Sequence, residues 1–500
     1  MNETQQKFVD YLKVLGHYRR AIILMMWDMY TATPEQGYDG MAETQTFFSS
    51  RHFELSTASE WKQLLEEMKK PENYDDLNAG LKYTVDHLSR ELLRDERIPK
   101  DFFEASVALS NKSMRAWEKA KKSSDFSIFA PFLDQMITMV KERSAYTDPG
   151  KDPYEVLVNE YEEGMDTAAI DRVFGELKDG LLPLLDRILA AKQPESKIYE
   201  GTYDPDAQKK VQKLLLEYIG FNFEAGTTAE SEHPFTEGFS RHDVRVTNHY
   251  YEHDPISAMF SAIHEGGHAI LGQNVAPELE GTAADDCRYL GIHESQSRFF
   301  ENILGRRKSF WLPIYDKVQE LLPDLKEISL DEFVAEVNHV KNSLIRTEAD
   351  EVTYCLHIIL RYEIEQEIFR GNVPIESLPA LWNEKMESYL HITPPDDASG
   401  VLQDMHWSDG SFGYFPTYLL GTIYDGMFLE AMEKDLGDID ALLEAGKVKD
   451  ITHWLNENIH QYGCLRKPNE VIEKVCGQPL SAKPILKYFE KKYTEVYNLI

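Results

Sequence analysis

The chain has 500 residues, 42% hydrophobic and 28% charged, so it can bury a large core and is not a disordered segment. Its 86 acidic residues against 53 basic ones leave a formal charge of -33, a surface that repels phosphate backbones and anionic lipid. Nucleic-acid and membrane partners are set aside on that ground, and the charge names no reaction by itself.

The amino terminus MNETQQKFVD mixes both charge signs and lacks a basic leader. The apolar run AIILMMW at 21–27 is far shorter than the roughly 18 residues a membrane span needs. Amphipathic helices are expected over 5–27, 61–70 and 169–190, and across the long stretch 331–369, where apolar residues recur every three or four positions. Breaks rich in Pro, Gly and Asp fall near 70, from 146, from 192 and from 391. Residues 241–254 change rhythm: Val244 and Val246 alternate with Asp243, Arg245 and Thr247, a period of two that predicts a short strand. Cys287, Cys355, Cys464 and Cys476 form no CxxC pair and read as reduced, buried thiols of a cytoplasmic protein. The fold class expected is mainly α, one large helical body with a small sheet beside the site.

After that strand, Asp254-Pro255 reads as a helix cap with proline in the first turn. Ile256, Met259, Phe260 and Ile263 mark a buried stripe leading into His264-Glu265-Gly266-Gly267-His268. Two histidines four apart lie one turn apart on one helix face, so both imidazoles can reach one ion, and zinc accepts such nitrogen ligands at about 2.0–2.1 Å. Glu265 sits beside the pair, where a carboxylate can take a proton from an activated water. Gly266 and Gly267 each weaken a helix interior by about 0.8–1.0 kcal/mol relative to Ala. Close approach of a backbone, of a substrate, or of a packed helix would account for them. The segment 291–307, GIHESQSRFFENILGRR, offers Glu294 as a third ligand and Glu301, two turns later, as the alternative. His293 reads either as a partner behind a ligand or as a core histidine. Two histidines and one glutamate leave a fourth position open, the catalytic pattern of zinc.

HDVRVT, HEGGH, GIHESQS, LIRTEAD and GVLQDMHW follow one another between 242 and 407. This ordered set resembles the carboxypeptidase Taq family of zinc metallocarboxypeptidases. The resemblance implies a gluzincin, neurolysin-like body with a deep active-site groove. It spans 1–500 as a single domain, with about 1–200 forming one wall of the groove and about 201–500 the catalytic region. It also implies a homodimer, one Zn2+ per chain with Co2+ as a substitute, and release of single residues from the free C-termini of peptides with broad preference.

Carried over by position, His264, His268 and Glu294 are the metal ligands and Glu265 the general base and acid. Donors to the oxyanion are sought in His406 and in Tyr414 or Tyr418, with Tyr414 also lining the substrate site; core packing is the plainer role for each. The substrate carboxylate calls for a guanidinium. Arg346 is the first choice and Arg245 the second, although both have acidic neighbours. Gln403 and Asp404 are expected to shape the far end of the pocket, and Asp243 and Thr247 to hold the strand. The rival readings are an oligoendopeptidase of the same class, a zinc hydrolase of other substrates, and a helical scaffold without catalysis.

Overall fold

The chain opens on a long helix because its first turn is doubly capped. Asn2 Oδ1 accepts from the Gln5 N–H at 2.9 Å while Gln5 Oε1 accepts from the Asn2 N–H at 2.7 Å. This helix, α1 (Glu3–Thr31), begins a computed structural model that describes residues 1–499 and is dominated by helices. With α2 (Ser59–Met68) and α3 (Ala79–Glu96), α1 closes a small core of Phe8, Trp61, Leu65, Met68, Leu77 and Val85. The Phe8 and Trp61 rings stack in it at 5.4 Å.

A second, much larger core runs from Ala116 to Tyr497 without interruption near residue 200. Helix α4 (Thr167–Ala190) feeds it with Ile170, Val173, Phe174, Leu177, Leu181 and Leu184, the stripe expected from spacing. The expected breaks from 146, 192 and 391 fall between α-helices, while the one near 70 takes in a single helical turn, Pro71–Tyr74.

The β-branched alternation does form a strand. β1 (Gly226–Glu230), β2 (Thr236–Ser240) and β3 (Asp243–Asn248) make one sheet in the order β1-β3-β2, with β3 parallel to β1 and antiparallel to β2. Val244 and Val246 point into the core, a burial that stabilises by about 1.5–3 kcal/mol each. Thr247 Oγ1 accepts from Ser231 Oγ at 2.6 Å and from the Phe235 N–H at 2.8 Å, tying the strand to the chain before β2. Asp254 then caps the next helix, accepting from the Ser257 N–H at 3.0 Å. The helices around the site are α5 (Pro205–Ile219), α6 (Pro255–Gln273), α7 (Leu290–Arg298), α8 (Glu351–Arg370) and α9 (Phe415–Leu436). A π-helical turn, Phe299–Leu304, continues α7.

The long amphipathic stretch 331–369 is not one helical run. Its first helix, Leu330–Val337, stops at Asn338, whose amide donates to the Val334 and Arg306 carbonyls at 2.8 and 2.9 Å. α8 starts only at Glu351, where Asp350 Oδ1 accepts from the Val352 and Thr353 N–H groups at 3.0 Å. The connection keeps helical apolar spacing because it is itself packed inside, with Val340, Ser343 and Arg346 all buried.

All four cysteines are free; Cys287, Cys355 and Cys464 are buried and Cys476 is half-buried. Among the described residues no helix is long and apolar enough to cross a membrane.

Beneath the start of α7 lies a fully buried carboxyl, Glu162, accepting from Tyr424 at 3.2 Å with its other oxygen unpartnered. Burial pushes its pKa from 4.5 up to about 8, against the Tyr424 hydrogen bond. The folded state therefore holds a proton that the unfolded chain releases, so this group's contribution to stability falls as pH rises from 4.5 to about 8. Glu162→Gln is expected to remove that slope, its melting temperature gaining on the wild type between about pH 5 and 8. Parallel curves across that range would refute the assignment.

Candidate metal centre and active site

Helix α6 reaches two neighbours through its adjacent glycines. A Cβ on Gly266 would lie 2.6 Å from Ile219 Cδ1 on α5, and one on Gly267 would lie 2.6 Å from the Gln296 carbonyl oxygen on α7. Helix packing and backbone approach, not a substrate, are what these glycines face. The second contact is the one that builds the site, because it draws α7 against the motif helix.

At that separation Glu294 Oε2 stands 3.8 Å from His264 Nε2 and 3.7 Å from His268 Nε2. The three ligand atoms lie within 4.8 Å of one another, the one such His/Cys/Asp/Glu group among the described residues. A tetrahedron with 2.0–2.1 Å bonds has edges of about 3.4 Å, so this donor set fits a divalent cation that accepts two nitrogens and one oxygen. Each ligand side chain keeps 14–23% of its surface open, which leaves room for a further ligand from solvent.

Each ligand is also gripped from behind. Glu301 Oε2 lies 2.8 Å from His264 Nδ1, so it meets the opposite edge of the ring from Glu294. With the proton on Nδ1, the Nε2 lone pair faces the other two ligands. Burial raises the Glu301 carboxyl, yet the His264 contact and the charges of Arg306 and Arg298 bring it down to about 2. Burial likewise opposes charge on His264, but Glu301 and Glu294 lift its imidazole to about 9, so a cation taking Nε2 displaces a proton. His293 Nδ1 stands 2.6 Å from His268 Nδ1, behind the second ligand. Arg298, buried, places Nη1 3.8 Å from Glu294 Oε1 and so leaves Oε2 for the cation.

Glu265, 8% exposed, is held by Thr236 of β2, whose hydroxyl donates to Oε2 at 2.7 Å. Burial raises its carboxyl above the ordinary value, with His264 and Thr236 opposing. A raised, oriented carboxylate is suited to accepting a proton and handing it on.

A second cluster adjoins through Tyr354. The Arg298 guanidinium lies 4.3 Å from the centre of the Tyr354 ring, whose hydroxyl accepts from Arg346 Nη1 at 3.2 Å. Arg346 donates to Asp404 Oδ1 through Nε and Nη2 at 3.1 and 2.8 Å. Arg361 donates to Asp404 Oδ2 at 2.7 Å and to Gln403 Oε1 at 2.7 Å. Although burial raises Asp404, these two guanidinium groups hold it well below the usual carboxylate range. Two arginines against one aspartate leave a net positive charge.

His406 packs against Phe415 at 4.5 Å with the rings tilted by 39°, and stands 5.2 Å from the Tyr414 ring, itself 5.3 Å from Tyr418. His406 Nδ1 is buried with no partner, which favours the tautomer carrying its proton on Nε2. Burial pulls its pKa down to about 4, Asp404 opposing and Arg346 adding to the fall, so the ring is neutral at working pH.

Arg245 lies elsewhere. Its Nε and Nη2 donate to Asp243 at 2.9 and 3.0 Å, and its guanidinium covers Phe239 and Trp27 at 4.3 and 5.7 Å, joining the sheet to α1. Thr236, Arg298, Tyr354 and Arg361 were not singled out by sequence. Only a charge inside an apolar helix, as for Arg361, could have flagged any of them.

A family model described as carboxypeptidase Taq (M32) metallopeptidase matches residues 7–493. Carboxypeptidase 1 of Bacillus subtilis is 41% identical over 497 residues, 99% of each chain. Thermostable carboxypeptidase 1 of Thermus thermophilus is 35% identical over 503 residues, 99% of this chain and 98% of that one. The crystal structure of M32 carboxypeptidase from Deinococcus radiodurans matches with a TM-score of 0.95 at 30% identity, covering 99% of this chain and 100% of its own. With the match running over nearly its whole length, the chain belongs to the carboxypeptidase Taq (M32) metallopeptidase family.

Proposed function

We propose that this chain removes amino acids one at a time from peptides with a free C-terminus, with one zinc ion held by His264, His268 and Glu294. As a family member it is a metal-dependent carboxypeptidase, a peptide hydrolase. The observation that carries the zinc reading is the convergence of two Nε2 atoms and one carboxylate oxygen at 3.7–3.8 Å. Zinc bound there supplies a Lewis acid that polarises the scissile carbonyl and lowers the pKa of an attacking water towards about 7; cobalt suits the same ligands. Glu265 takes the proton of that water and passes it to the leaving amine. His406, neutral and with its proton on Nε2, donates to the developing oxyanion, with Tyr418 or Tyr414 beside it. Glu294 is fixed by Arg298, and Glu265 by Thr236, so both carboxylates are oriented before the peptide arrives.

Arg346 anchors the terminal carboxylate in this reading. The excess charge of the Arg346–Asp404–Arg361 group supports it, as does the place of Arg245 outside that group, over Phe239 and Trp27. Gln403 and Asp404 close that end of the site. Arg346→Lys, which keeps the charge but loses the fork, is expected to raise KM by about tenfold with metal content unchanged, read by steady-state kinetics and metal analysis. We also read the enzyme as a cytoplasmic homodimer on the strength of the family resemblance, a point that sedimentation can test.

A matched pair of peptides, one with a free C-terminus and one amidated, tests the reaction. The free acid is expected to lose residues stepwise, while the amide survives. Equal cleavage of both would replace this reading with that of an oligoendopeptidase.

A further inference from the structure

Helix α8 carries two charged side chains with no exposed surface, Arg361 and Glu365, one turn apart on one face. Neither points at the metal ligands. Both point at the segment 403–413, from opposite flanks of His406. Arg361 holds the near flank, donating to Gln403 Oε1 and Asp404 Oδ2 at 2.7 Å each. Glu365 holds the far flank: Oε1 accepts from Trp407 Nε1 at 2.7 Å, and Oε2 accepts from the Gly413 N–H at 3.0 Å. Tyr154 completes the carboxylate, donating to Oε2 at 2.8 Å.

Burying charge is a poor route to stability, whether paired, as Arg361 is with Asp404, or held by neutral donors, as Glu365 is. Such groups call for another reason to be there. Here the reason is geometric. The segment between the two flanks has a single short helix, His406–Asp409, and too little regular structure to fix its own position. Gly413 sits at φ +77°, with its Cα pressed so close to α-helical backbone that a Cβ would fall 2.8 Å from the Val158 nitrogen. Tyr414 follows it directly.

We propose that Arg361 and Glu365 are positioning residues for the peptidase reaction, a pair of buried charges on one face of α8 that clamps both flanks of His406 and sets where its Nε2 meets the substrate. The proposal rests on the reading of His406 as an oxyanion donor. Arg361 has a second output through Asp404 to Arg346, so the same helix face registers the carboxylate anchor against the donor. Burial pushes the Glu365 carboxyl up to about 7, which brings a change of its hydrogen-bonding capacity within reach of neutral pH.

A double-mutant cycle on the full-length, metal-loaded enzyme tests it. His406→Ala is expected to lower kcat by about 10²-fold, the loss of one oxyanion donor. Glu365→Gln keeps the volume but turns an amide against one of three converging donors. It is expected to lower kcat by about tenfold with KM and metal content within threefold of wild type. The double variant is expected to match His406→Ala alone, because a clamp has nothing left to place. Two losses that multiply would overturn the clamp while leaving His406 in its role. A His406→Ala enzyme with unchanged kcat would overturn both. Trp407→Phe removes the same hydrogen bond from the other end, and the cycle is read on it if Glu365→Gln does not fold.

Discussion

Glu265→Gln is expected to lower kcat by about 10³-fold while the protein keeps its metal and its melting temperature. The substitution changes almost nothing but the ability to carry a proton. Thr236 can still donate to the remaining oxygen of the carboxamide, as it now donates to Oε2 at 2.7 Å, and the side chain stays in its buried slot. Glu265 is not in the converging group of His264, His268 and Glu294, so metal binding has no reason to change. A chelator, by contrast, is expected to abolish hydrolysis in the wild type, with zinc restoring it. Peptide hydrolysis and metal analysis on the same sample separate the two effects. Full activity in Glu265→Gln would remove the general base from the mechanism, and metal loss would move Glu265 into the ligand set.

Why the histidines, Glu294 and the strand were legible is a matter of range. The i, i+4 spacing of His264 and His268, the Asp254 cap and the β3 alternation are local, set within one or two turns of chain. The motif helix and the strand could therefore be read from side-chain period alone. Glu294 needed only the further step of a second helix carrying an acid. What escaped is held by partners far along the chain. Arg361 meets Asp404 across 43 positions and Glu365 meets Trp407 across 42, while Glu301, named only as an alternative ligand, meets His264 from behind across 37. Each of these charges sits in or beside an apolar helix, where pattern reading assigns core. The segment 338–350 misled for a related reason: a partly buried connection is apolar at helical spacing although it forms only one short 3-10 turn, Arg346–Glu348. The glycines of the motif lay in between, since their expense was visible but their neighbours were not.

The proposed metal centre is built from the packing of two helices rather than from a loop. α6 carries both imidazoles and the proposed base Glu265, and α7 carries Glu294 and, through its π turn, the Glu301 that meets His264. A π turn shifts the side chains beyond it, and Glu301 falls inside that turn while Glu294 precedes it. The two acids thus address opposite edges of one ring from a single continuous helix. Rigid elements hold such geometry better than loops do.

Gly267→Ala therefore has the second large effect expected here, a fall in metal affinity of about 10²-fold, with hydrolysis falling alongside at limiting metal. A Cβ at this position would stand 2.6 Å from the Gln296 carbonyl oxygen and 2.7 Å from Ser297 Cα, and both are backbone atoms that cannot rotate away. Relief to ordinary contact requires α7 to withdraw by about 0.8 Å, and ligand distances tolerate only about 0.2 Å. Glu294 would leave with its helix. Gly266→Ala is the matched control, because it meets only the flexible ends of Ile219 and Leu216 at 2.6 and 2.7 Å. Those tips can shift, so its metal affinity is expected to stay within a fewfold of wild type even if packing against α5 suffers. Competition titration of zinc against a chromophoric chelator reads both variants directly, without relying on turnover. Equal affinities for Gly267→Ala and wild type would mean that α7 is not held in register by this contact, and that Glu294 finds the imidazoles by some other restraint.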